Sequence, residues 1–442
     1  MAAALALALA AALPASTPRR HVDPLIGTGG LAFGVGGDPP GAQRPFGLVK
    51  FSPDTSPANP KLWLEFEHYG GASFMDEYIN AFSLLHMVGP GALDLGALGV
   101  MPIGEPGRAR QLHGARARYS HTNESAAPGR YRVALTPAGA EQPLTVDLTA
   151  THHVAAIRLT PAPGATPPET LSLLIDPRHT LQASSPDPGA DSGAQNCSIT
   201  VDTSAGAISG HLIDRGGLTS RIPSSASPSP FTPGDASPPH GGLDLWFHAV
   251  FPGSKLDASC SGLVESDGAL RFAAGQQPLS AAGNVSAVAC LPLAGRDSVT
   301  ALIGVSTISA THARRNLEAE VGGRDFDALV TEAEKEWDER LGVLEVVDEP
   351  GEEPLGPSLL TPFWTAVYHT LMAPSTYSEV GAEYMGFDQR VHTLKDAADR
   401  QLSDMSIWDV SSTQVYRLSI LLPVDRVRCV GGGLRRIGAG TR

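Results

Sequence analysis

The sequence has little cysteine, no long apolar run and no excess of basic residues. Only four cysteines occur among 442 residues, and none forms a CxxC pair, so a zinc module or a disulfide-dense scaffold is not expected. Lys and Arg number 32 against 46 Asp and Glu, a formal charge of −14. Because phosphate contacts need clustered cations, this balance argues against nucleic-acid binding. No segment is long and apolar enough to span a membrane, which takes ~20 residues.

The four cysteines leave two arrangements open. Cys197, Cys260 and Cys290 lie in the first 300 residues, and Cys429 lies near the end. One disulfide among the first three is compatible with this spacing, and so are buried free thiols.

The N-terminus has some features of a secretory signal. Residues 1–13 are almost all Ala and Leu and are followed by small residues, although Arg19 and Arg20 come after the apolar run rather than before it. We expect residues 1–19 to be a signal peptide, with secretion of the protein, or else a disordered N-terminus in a cytosolic protein. Three Asn-x-Ser acceptor sequons, at Asn123, Asn196 and Asn284, agree with secretion.

Glycine and proline are abundant where short apolar runs alternate with polar residues. The chain has 48 Gly and 37 Pro, which favours many turns over a helical bundle. Runs such as 144–148 and 243–250 have a period of two and are separated by turn residues. This pattern is typical of antiparallel strands, so we predict a β-sandwich domain over residues 20–308.

The periodicity becomes helical after residue 309. Seven apolar residues recur at helical spacing and predict an amphipathic helix in a linker over 309–350: Phe326, Leu329, Val330, Ala333, Trp337, Leu341 and Leu344. A second helix is predicted between Pro362 and Met372 and a third around 415–422, in a partial helical domain at 351–423. Residues 424–442 lose the apolar periodicity, and we predict an unstructured tail there.

Two motifs that suggest nucleotide or metal binding lack the required context. The glycines at 27–37 precede Pro39 and Pro40, so no helix N-terminus follows to hold a phosphate. His152 and His153 are adjacent in a strand pattern, where neighbouring side chains point to opposite faces. We expect them to be packed or surface histidines rather than ligands of one metal.

Three glycine-containing segments combine aromatic, histidine and carboxylate side chains. They span 22–55, 81–96 and 403–409. An aromatic ring can stack on a sugar ring while His and Asp bond its hydroxyls, so these segments suggest a sugar site. The alternative is ordinary loop glycines around a core Trp.

Six motifs in these and neighbouring segments resemble one family. They are Pro-Gly-Ala with Pro-Phe-Gly at 40–47, Ser-Pro-Asp-Thr at 52–55, His-Met-Val-Gly-x-Gly at 86–91, Asn-Leu-Glu-x-Glu at 316–320, Tyr-His-Thr-Leu-x-Ala-Pro at 368–374 and Ser-Asp-x-Ser-x-Trp-Asp at 403–409. In this order they resemble glycoside hydrolase family 92, the calcium-dependent exo-α-mannosidases. The resemblance covers about 22–423.

The resemblance implies a fold, a reaction and binding residues. The fold would be an N-terminal antiparallel β-sandwich (a supersandwich), a helical linker and an (α/α)₆ toroid of which this chain holds the first part. The reaction would be inverting hydrolysis of terminal α-mannose from N-glycans and glycoproteins, assisted by Ca²⁺. The matching substrate-binding candidates are Trp63, His86, Asp94, Trp408 and Asp409.

No catalytic acid or base can be named from these residues. Twelve helices of ~11 residues with ~5-residue loops need roughly 190 residues, and 442 − 350 = 92 residues follow position 350. The family motifs that carry the two carboxylates are also missing from the 442 residues. We therefore expect a C-terminally truncated member with an out-of-frame tail and no activity of its own. The alternative is a secreted, non-catalytic carbohydrate-binding or scaffold sandwich.

Overall fold

The computed structural model describes residues 17–29, 37–89, 91–104, 115–164, 166–182, 193–216, 241–265, 269–273, 278–346, 356–386, 388–403, 426–430 and 433–437. Its strands, in chain order, are β1 (Ala42–Gln43), β2 (Lys50–Ser56), β3 (Tyr78–His86), β4 (Leu95–Ile103), β5 (Ala117–Arg118), β6 (Glu124–Ala127), β7 (Arg130–Leu135), β8 (Leu144–Ala150), β9 (Val154–Pro161), β10 (Thr170–Asp176), β11 (Gln195–Asp202), β12 (Ala207–Asp214), β13 (Leu243–Val250), β14 (Gly262–Val264), β15 (Leu270–Phe272), β16 (Leu279–Ala282), β17 (Ser286–Pro292), β18 (Val299–Ser306), β19 (Ser375–Thr376), β20 (Glu383–Met385), β21 (Val391–Thr393), β22 (Gln401–Ser403), β23 (Arg426–Val430) and β24 (Gly433–Ile437). Its α-helices are α1 (Ala310–Val321), α2 (Phe326–Leu341) and α3 (Pro357–Thr370). None of the described helices is long and apolar enough to cross a membrane.

Two antiparallel sheets make up most of the described chain. The first has the order β1-β2-β3-β4-β10-β17-β14-β15, with β5 on β3, and the second has the order β16-β11-β12-β13-β18-β9-β8-β7-β6. Both sheets contribute to one apolar core, in which Phe82 of β3 lies 6.4 Å from Tyr131 of β7 between ring centroids. Along β7, Tyr131, Val133 and Leu135 are buried, because alternate residues of a strand point to the same face. The predicted antiparallel β structure is confirmed.

Two capped helices follow the second sheet. In α1, the Ser309 side chain accepts the His312 N–H at the start, and Gly322 ends the helix in the left-handed region. In α2, the Asp325 carboxylate accepts the Ala328 N–H, as expected of an N-cap. The buried face of α2 consists of six of the seven predicted apolar residues: Phe326, Leu329, Val330, Ala333, Trp337 and Leu341. The seventh, Leu344, follows the end of the helix.

The segment after α2 differs from its predicted form in two places. Helix α3 begins at Pro357, so Pro362 lies inside the helix instead of bounding it. Proline is tolerated at the first helical position, and Pro357 occupies one of the first two. After α3, the described residues up to 403 form the short strands β19 to β22 and no further α-helix. The predicted helix at 415–422 lies outside the described residues, and the toroid stays a prediction.

The predicted unstructured tail contains two paired strands. β23 pairs with β24 from Arg426↔Ile437 to Val430↔Gly433, and β24 also pairs with β22. The two residues between β23 and β24 are Gly431 and Gly432, and a Gly-Gly pair between two strands is a recognised hairpin signal. The loss of helical periodicity in this segment was therefore no sign of missing structure.

The described cysteines include both a disulfide and a buried free thiol, the two arrangements that the sequence allows. Cys260 and Cys290 form a disulfide, and Cys197 is a buried free thiol. Burial raises the pKa of Cys197 to about 12, so this thiol is unreactive at neutral pH.

The junction between the sheets and the helices contains a buried Trp337. Its Nε1 donates to the Gln43 carbonyl at 2.8 Å, and its ring centroid lies 4.5 Å from that of Tyr368 in α3. The Gln43 amide donates in turn to the Tyr368 hydroxyl at 3.2 Å. A single indole thus connects β1, α2 and α3.

Trp337→Phe is expected to lower the free energy of unfolding by about 2 kcal/mol. The change leaves the buried Gln43 carbonyl without its donor, which costs ~1–3 kcal/mol, and it removes part of the packed ring. Chemical denaturation measures the effect. Trp246→Phe is the matched control, because Trp246 is only partly buried on β13 and should cost under ~1 kcal/mol. Equal losses in the two variants would contradict this role of Trp337.

Candidate functional site

Three of the five predicted binding residues lie at one end of the first sheet. Trp63 is in the β2–β3 loop, His86 ends β3, and Asp94 directly precedes β4. His86 pairs with Leu95 in the ladder between these antiparallel strands, so the β3–β4 hairpin brings His86 and Asp94 to the same end of the sheet. Trp408 and Asp409 lie outside the described residues, and their role stays a prediction.

The Trp63 indole is partly buried and is oriented by a histidine. Its ring stacks on His68 at a centroid distance of 4.8 Å and an interplanar angle of 20°. His68 Nδ1 donates to the Leu64 carbonyl at 2.7 Å, and its Nε2 bonds Asp76 at 2.8 Å. Trp63 also packs with Phe66 against the small buried cluster formed by Tyr69, Leu93 and Leu181. Because Leu93 adjoins Asp94, Trp63 and Asp94 belong to one local structure.

His86 belongs to a buried network in which one carboxylate joins two imidazoles. Asp54 Oδ1 lies 2.7 Å from His86 Nε2, and Asp54 Oδ2 lies 2.5 Å from His179 Nε2. His86 Nδ1 donates to the Lys50 carbonyl at 2.8 Å, and Ser83 Oγ lies 3.1 Å from Nε2. All three titratable side chains are at most 4 % exposed. Both His86 ring nitrogens are therefore already engaged within the protein.

The Asp54 carboxylate is held in its charged form. Burial alone would raise its pKa, but the charges and hydrogen bonds of His86 and His179 lower the pKa of Asp54 to about 2. A carboxylate in this position accepts from both rings, and His86 also donates from Nδ1 to a carbonyl. A ring that donates at both nitrogens is an imidazolium, so the network contains an internal ion pair.

Two glycines make room for this network. Gly71 has φ +90°, and a Cβ there would collide with Asp54 Oδ1 and lie 2.7 Å from His86 Nε2. A Cβ on Gly99 would lie 2.7 Å from His179 Cγ. Both positions are thus restricted to glycine by the side chains that they face.

Asp94 is buried beside a second carboxylate. It is 1 % exposed, as is Asp214, and its Oδ1 accepts the Leu95 N–H at 3.0 Å. Burial and then the nearby charge of Asp94 raise the pKa of Asp214 to about 8. The amides of Arg215 and Gly216 point toward Asp214, but neither of its oxygens has a partner in hydrogen-bonding geometry. One proton is therefore retained on this pair at neutral pH.

Asp54, His179 and Asp214 were not predicted as site residues. Asp54 lies in the Ser-Pro-Asp-Thr motif, which was a signal for it. His179 and Asp214 follow or end strands that have no recognisable motif. His179 comes close through the pairing of β10 with β4, whereas Asp214 ends β12 of the second sheet and interacts with Asp94 across the two sheets.

The histidines 152 and 153 face two different glutamates. His152 Nε2 lies 3.4 Å from Glu336, and His153 Nδ1 lies 2.6 Å from Glu320. This agrees with their expected role as packed histidines. Nowhere in the described ranges do three or more His, Cys, Asp or Glu side chains form a group that could hold a metal ion.

Two surface cavities lie away from the predicted residues. One, of about 650 Å³, is lined by residues that include Asp76, Tyr119 and His121. The other, of about 670 Å³, is lined by residues that include Arg44 and Glu336. Neither is lined by Trp63, His86 or Asp94.

Two family models match the chain in succession. The N-terminal domain of glycosyl hydrolase family 92 matches residues 21–301, and the catalytic domain of that family matches residues 312–436. The second match continues 436 − 423 = 13 residues past position 423, where the sequence resemblance was expected to end. This extension counts against an out-of-frame tail that starts at 424.

Solved structures and a curated protein are also similar to the chain. A family GH92 α-mannosidase from Bacteroides thetaiotaomicron, solved with mannoimidazole, has a TM-score of 0.68 at 22 % identity over 91 % of this chain and 46 % of its own. A GH92 inverting mannosidase from the same species has a TM-score of 0.68 at 20 % identity, over 92 % and 46 %. An uncharacterised secreted glycosidase from Arthroderma benhamiae is 30 % identical over 86 residues, 19 % of this chain and 11 % of that protein. The chain thus spans about half the length of the solved structures that share its fold.

Proposed function

Because the chain belongs to glycosyl hydrolase family 92, we propose that it is part of a glycosidase that removes terminal α-linked mannose from mannose-containing glycans, with inversion at the anomeric carbon. The observation that carries the proposal is the consecutive match to both domains of the family. The solved mannosidases that share this fold support the choice of sugar. The toroid, of which residues after 350 would form the first part, belongs to this proposal.

The proposed mannose-binding site lies at the β3–β4 end of the first sheet. Trp63 is the one member of the described trio that is only partly buried, so its ring is assigned to stacking on the sugar. His86 and Asp94 are buried away from solvent, and we assign them to holding the loops at this end of the sheet in place. Trp408 and Asp409 would approach the sugar from the helical part.

The family resemblance implies a calcium ion. Among the described residues no three or more His, Cys, Asp or Glu side chains form a group that could hold a metal ion, so none of these residues is assigned to calcium. A calcium requirement is therefore proposed for the glycosidase as a whole, and no reaction step is assigned to the ion here.

The 442-residue chain is expected to bind terminal mannose residues without hydrolysing their glycosidic bond. An inverting glycosidase needs an acid and a base about 6.5–9.5 Å apart, and the sequence offers no motif that identifies either group. Mannose binding without turnover would also fit the alternative of a non-catalytic carbohydrate-binding sandwich.

Incubation with α-1,2-mannobiose separates these functions. Release of mannose as the β-anomer, detected by NMR and abolished by a chelator, would establish the hydrolytic function in this chain and would overturn the expectation of binding alone. Saturable binding without hydrolysis would support the proposed sugar-binding site. Absence of both binding and release would contradict the proposal.

Trp63→Ala is expected to weaken mannoside binding about tenfold. The change removes a stacking surface worth ~0.5–1.5 kcal/mol or more. Calorimetric titration measures the affinity, and thermal melting checks that the variant is folded. Leu62→Ala is the matched control, since Leu62 is 65 % exposed in the same loop and should keep wild-type affinity. Equal losses for the two variants would remove Trp63 from the site.

The protein is proposed to enter the secretory pathway. The N-terminal Ala and Leu run and the three sequons support this localisation, and a similar curated protein is named a secreted glycosidase.

A further inference from the structure

The three Asn-x-Ser sequons lie at the two free edges of one sheet. Asn123 directly precedes β6, one edge strand of the second sheet, and Ser125 is within that strand. Asn284 comes two residues after β16, the opposite edge strand. Asn196 lies in β11, which pairs with β16. All three sequons thus lie on or beside the outermost strands of the second sheet.

The three asparagine side chains are accessible. Asn123, Asn196 and Asn284 are all exposed. The chain contains six asparagines in total, and of the other three, Asn80 and Asn316 are buried. Most of the exposed asparagines therefore belong to sequons.

Asn196 and Asn284 are brought together by the local backbone. The ladder between β11 and β12 shifts register between Gln195 and Ser198, and Asn196 has φ +49° in that irregularity. Asparagine is among the residues that tolerate this conformation. The Gly283 N–H then donates to the Cys197 carbonyl at 2.8 Å, which places the two sequons side by side.

A free sheet edge is a hazard that folded proteins block. In the described chain, β6 pairs only with β7 and β16 only with β11, so each has one side of its backbone without a strand partner. Such edges promote pairing between molecules unless bulky or charged groups cover them. The acceptor asparagines stand where attached groups would cover both edges.

We propose that Asn123, Asn196 and Asn284 are N-glycosylated and that their glycans shield the two edges of the second sheet. In this modification the asparagine Nδ2 bonds to C1 of the first N-acetylglucosamine of a polyisoprenyl-pyrophosphate-linked oligosaccharide. The bond from C1 to the pyrophosphate oxygen breaks, and one amide proton leaves with the lipid pyrophosphate. The inference rests on the proposed entry into the secretory pathway and does not depend on hydrolysis of mannosides.

Expression with the native N-terminus in a eukaryotic host tests the modification. Peptide-N-glycosidase treatment in heavy-oxygen water should convert all three asparagines to labelled aspartate, read by peptide mass spectrometry. Ser125→Ala should remove the label at Asn123 alone, whereas Ser125→Thr should keep it. Asn59→Gln is the control for an exposed asparagine outside a sequon and should leave the mass pattern unchanged. Unmodified asparagines, in protein from the medium or from the cells, would overturn the proposal.

Self-association tests the shielding. A variant with Asn123→Gln, Asn284→Gln and Ser198→Ala, which removes the three sequons but keeps asparagine at the positive φ of position 196, should stay folded and associate several-fold faster than the glycosylated protein at equal concentration, measured by light scattering. Association at the same rate would overturn the shielding role even with all three sites occupied. Neither experiment depends on mannosidase activity, so its failure is distinct from failure of the proposed function.

Discussion

Asp54→Asn is expected to lower the free energy of unfolding by about 3–5 kcal/mol, the usual effect of removing one partner from a buried ion pair. The substitution removes the charge that both the His86 and His179 side chains contact, and these two side chains are at most 4 % exposed. An amide cannot accept from both imidazoles through two oxygens. Urea denaturation at pH 7 measures the loss.

The control for Asp54 is an aspartate without such contacts. Asp297 is exposed on the β17–β18 loop, and Asp297→Asn should change stability by under ~0.5 kcal/mol. The pH dependence gives a second check. Because the folded pKa of Asp54 is about 2 and its ordinary value is 3.8, its contribution is present above about pH 4 and is lost as the pH falls toward 2. If Asp54→Asn lowered the free energy of unfolding no more than Asp297→Asn, the ion pair would not stabilise the β3–β4 end of the first sheet.

Asp214→Asn is expected to stabilise the protein at pH 8 by more than about 2 kcal/mol. The pKa of Asp214 rises from 3.8 to about 8 in the folded state, so between these pH values the folded protein holds one more proton than the unfolded chain. Stability therefore falls as the pH rises through this window, by up to ~1.4 kcal/mol per pH unit. Asparagine carries no charge to desolvate, and its amide oxygen can still face the backbone amides that point toward Asp214.

Unfolding free energies at several pH values between 4 and 8 test this expectation. The difference between Asp214→Asn and the unmodified protein should be small near pH 4 and should grow with pH. Asp94→Asn should reduce the slope in part, since it removes the charge that repels Asp214. Parallel curves for the unmodified protein and Asp214→Asn would contradict the retained proton.

Periodic elements could be predicted from the sequence, whereas long-range partners could not. The buried face of α2 follows directly from the spacing of Phe326 to Leu341, because helix geometry puts these residues on one side. The alternating strands followed for the same reason from a period of two. Both are local properties that neighbouring residues determine.

The site required information that local patterns do not contain. His86 and Asp94 could be placed together, since they flank one hairpin. Asp54 and His179 are 125 residues apart, and they meet only because β4 pairs with β10. Pro362 was misplaced because proline usually ends a helix, whereas Leu360, one turn before Trp364, packs against the same apolar cluster and belongs to the helix that begins at Pro357.

We propose that the β3–β4 end of the first sheet binds terminal mannose. Calorimetric titration of the 442-residue protein with methyl α-mannoside and with its C2 epimer, methyl α-glucoside, tests it most directly. We predict saturable binding of the mannoside, at least about tenfold tighter than that of the glucoside, because Trp408 and Asp409 are proposed to approach the sugar and a hydroxyl-directed hydrogen bond rejects the wrong epimer. Binding of the two sugars with equal affinity, or of neither, would contradict it.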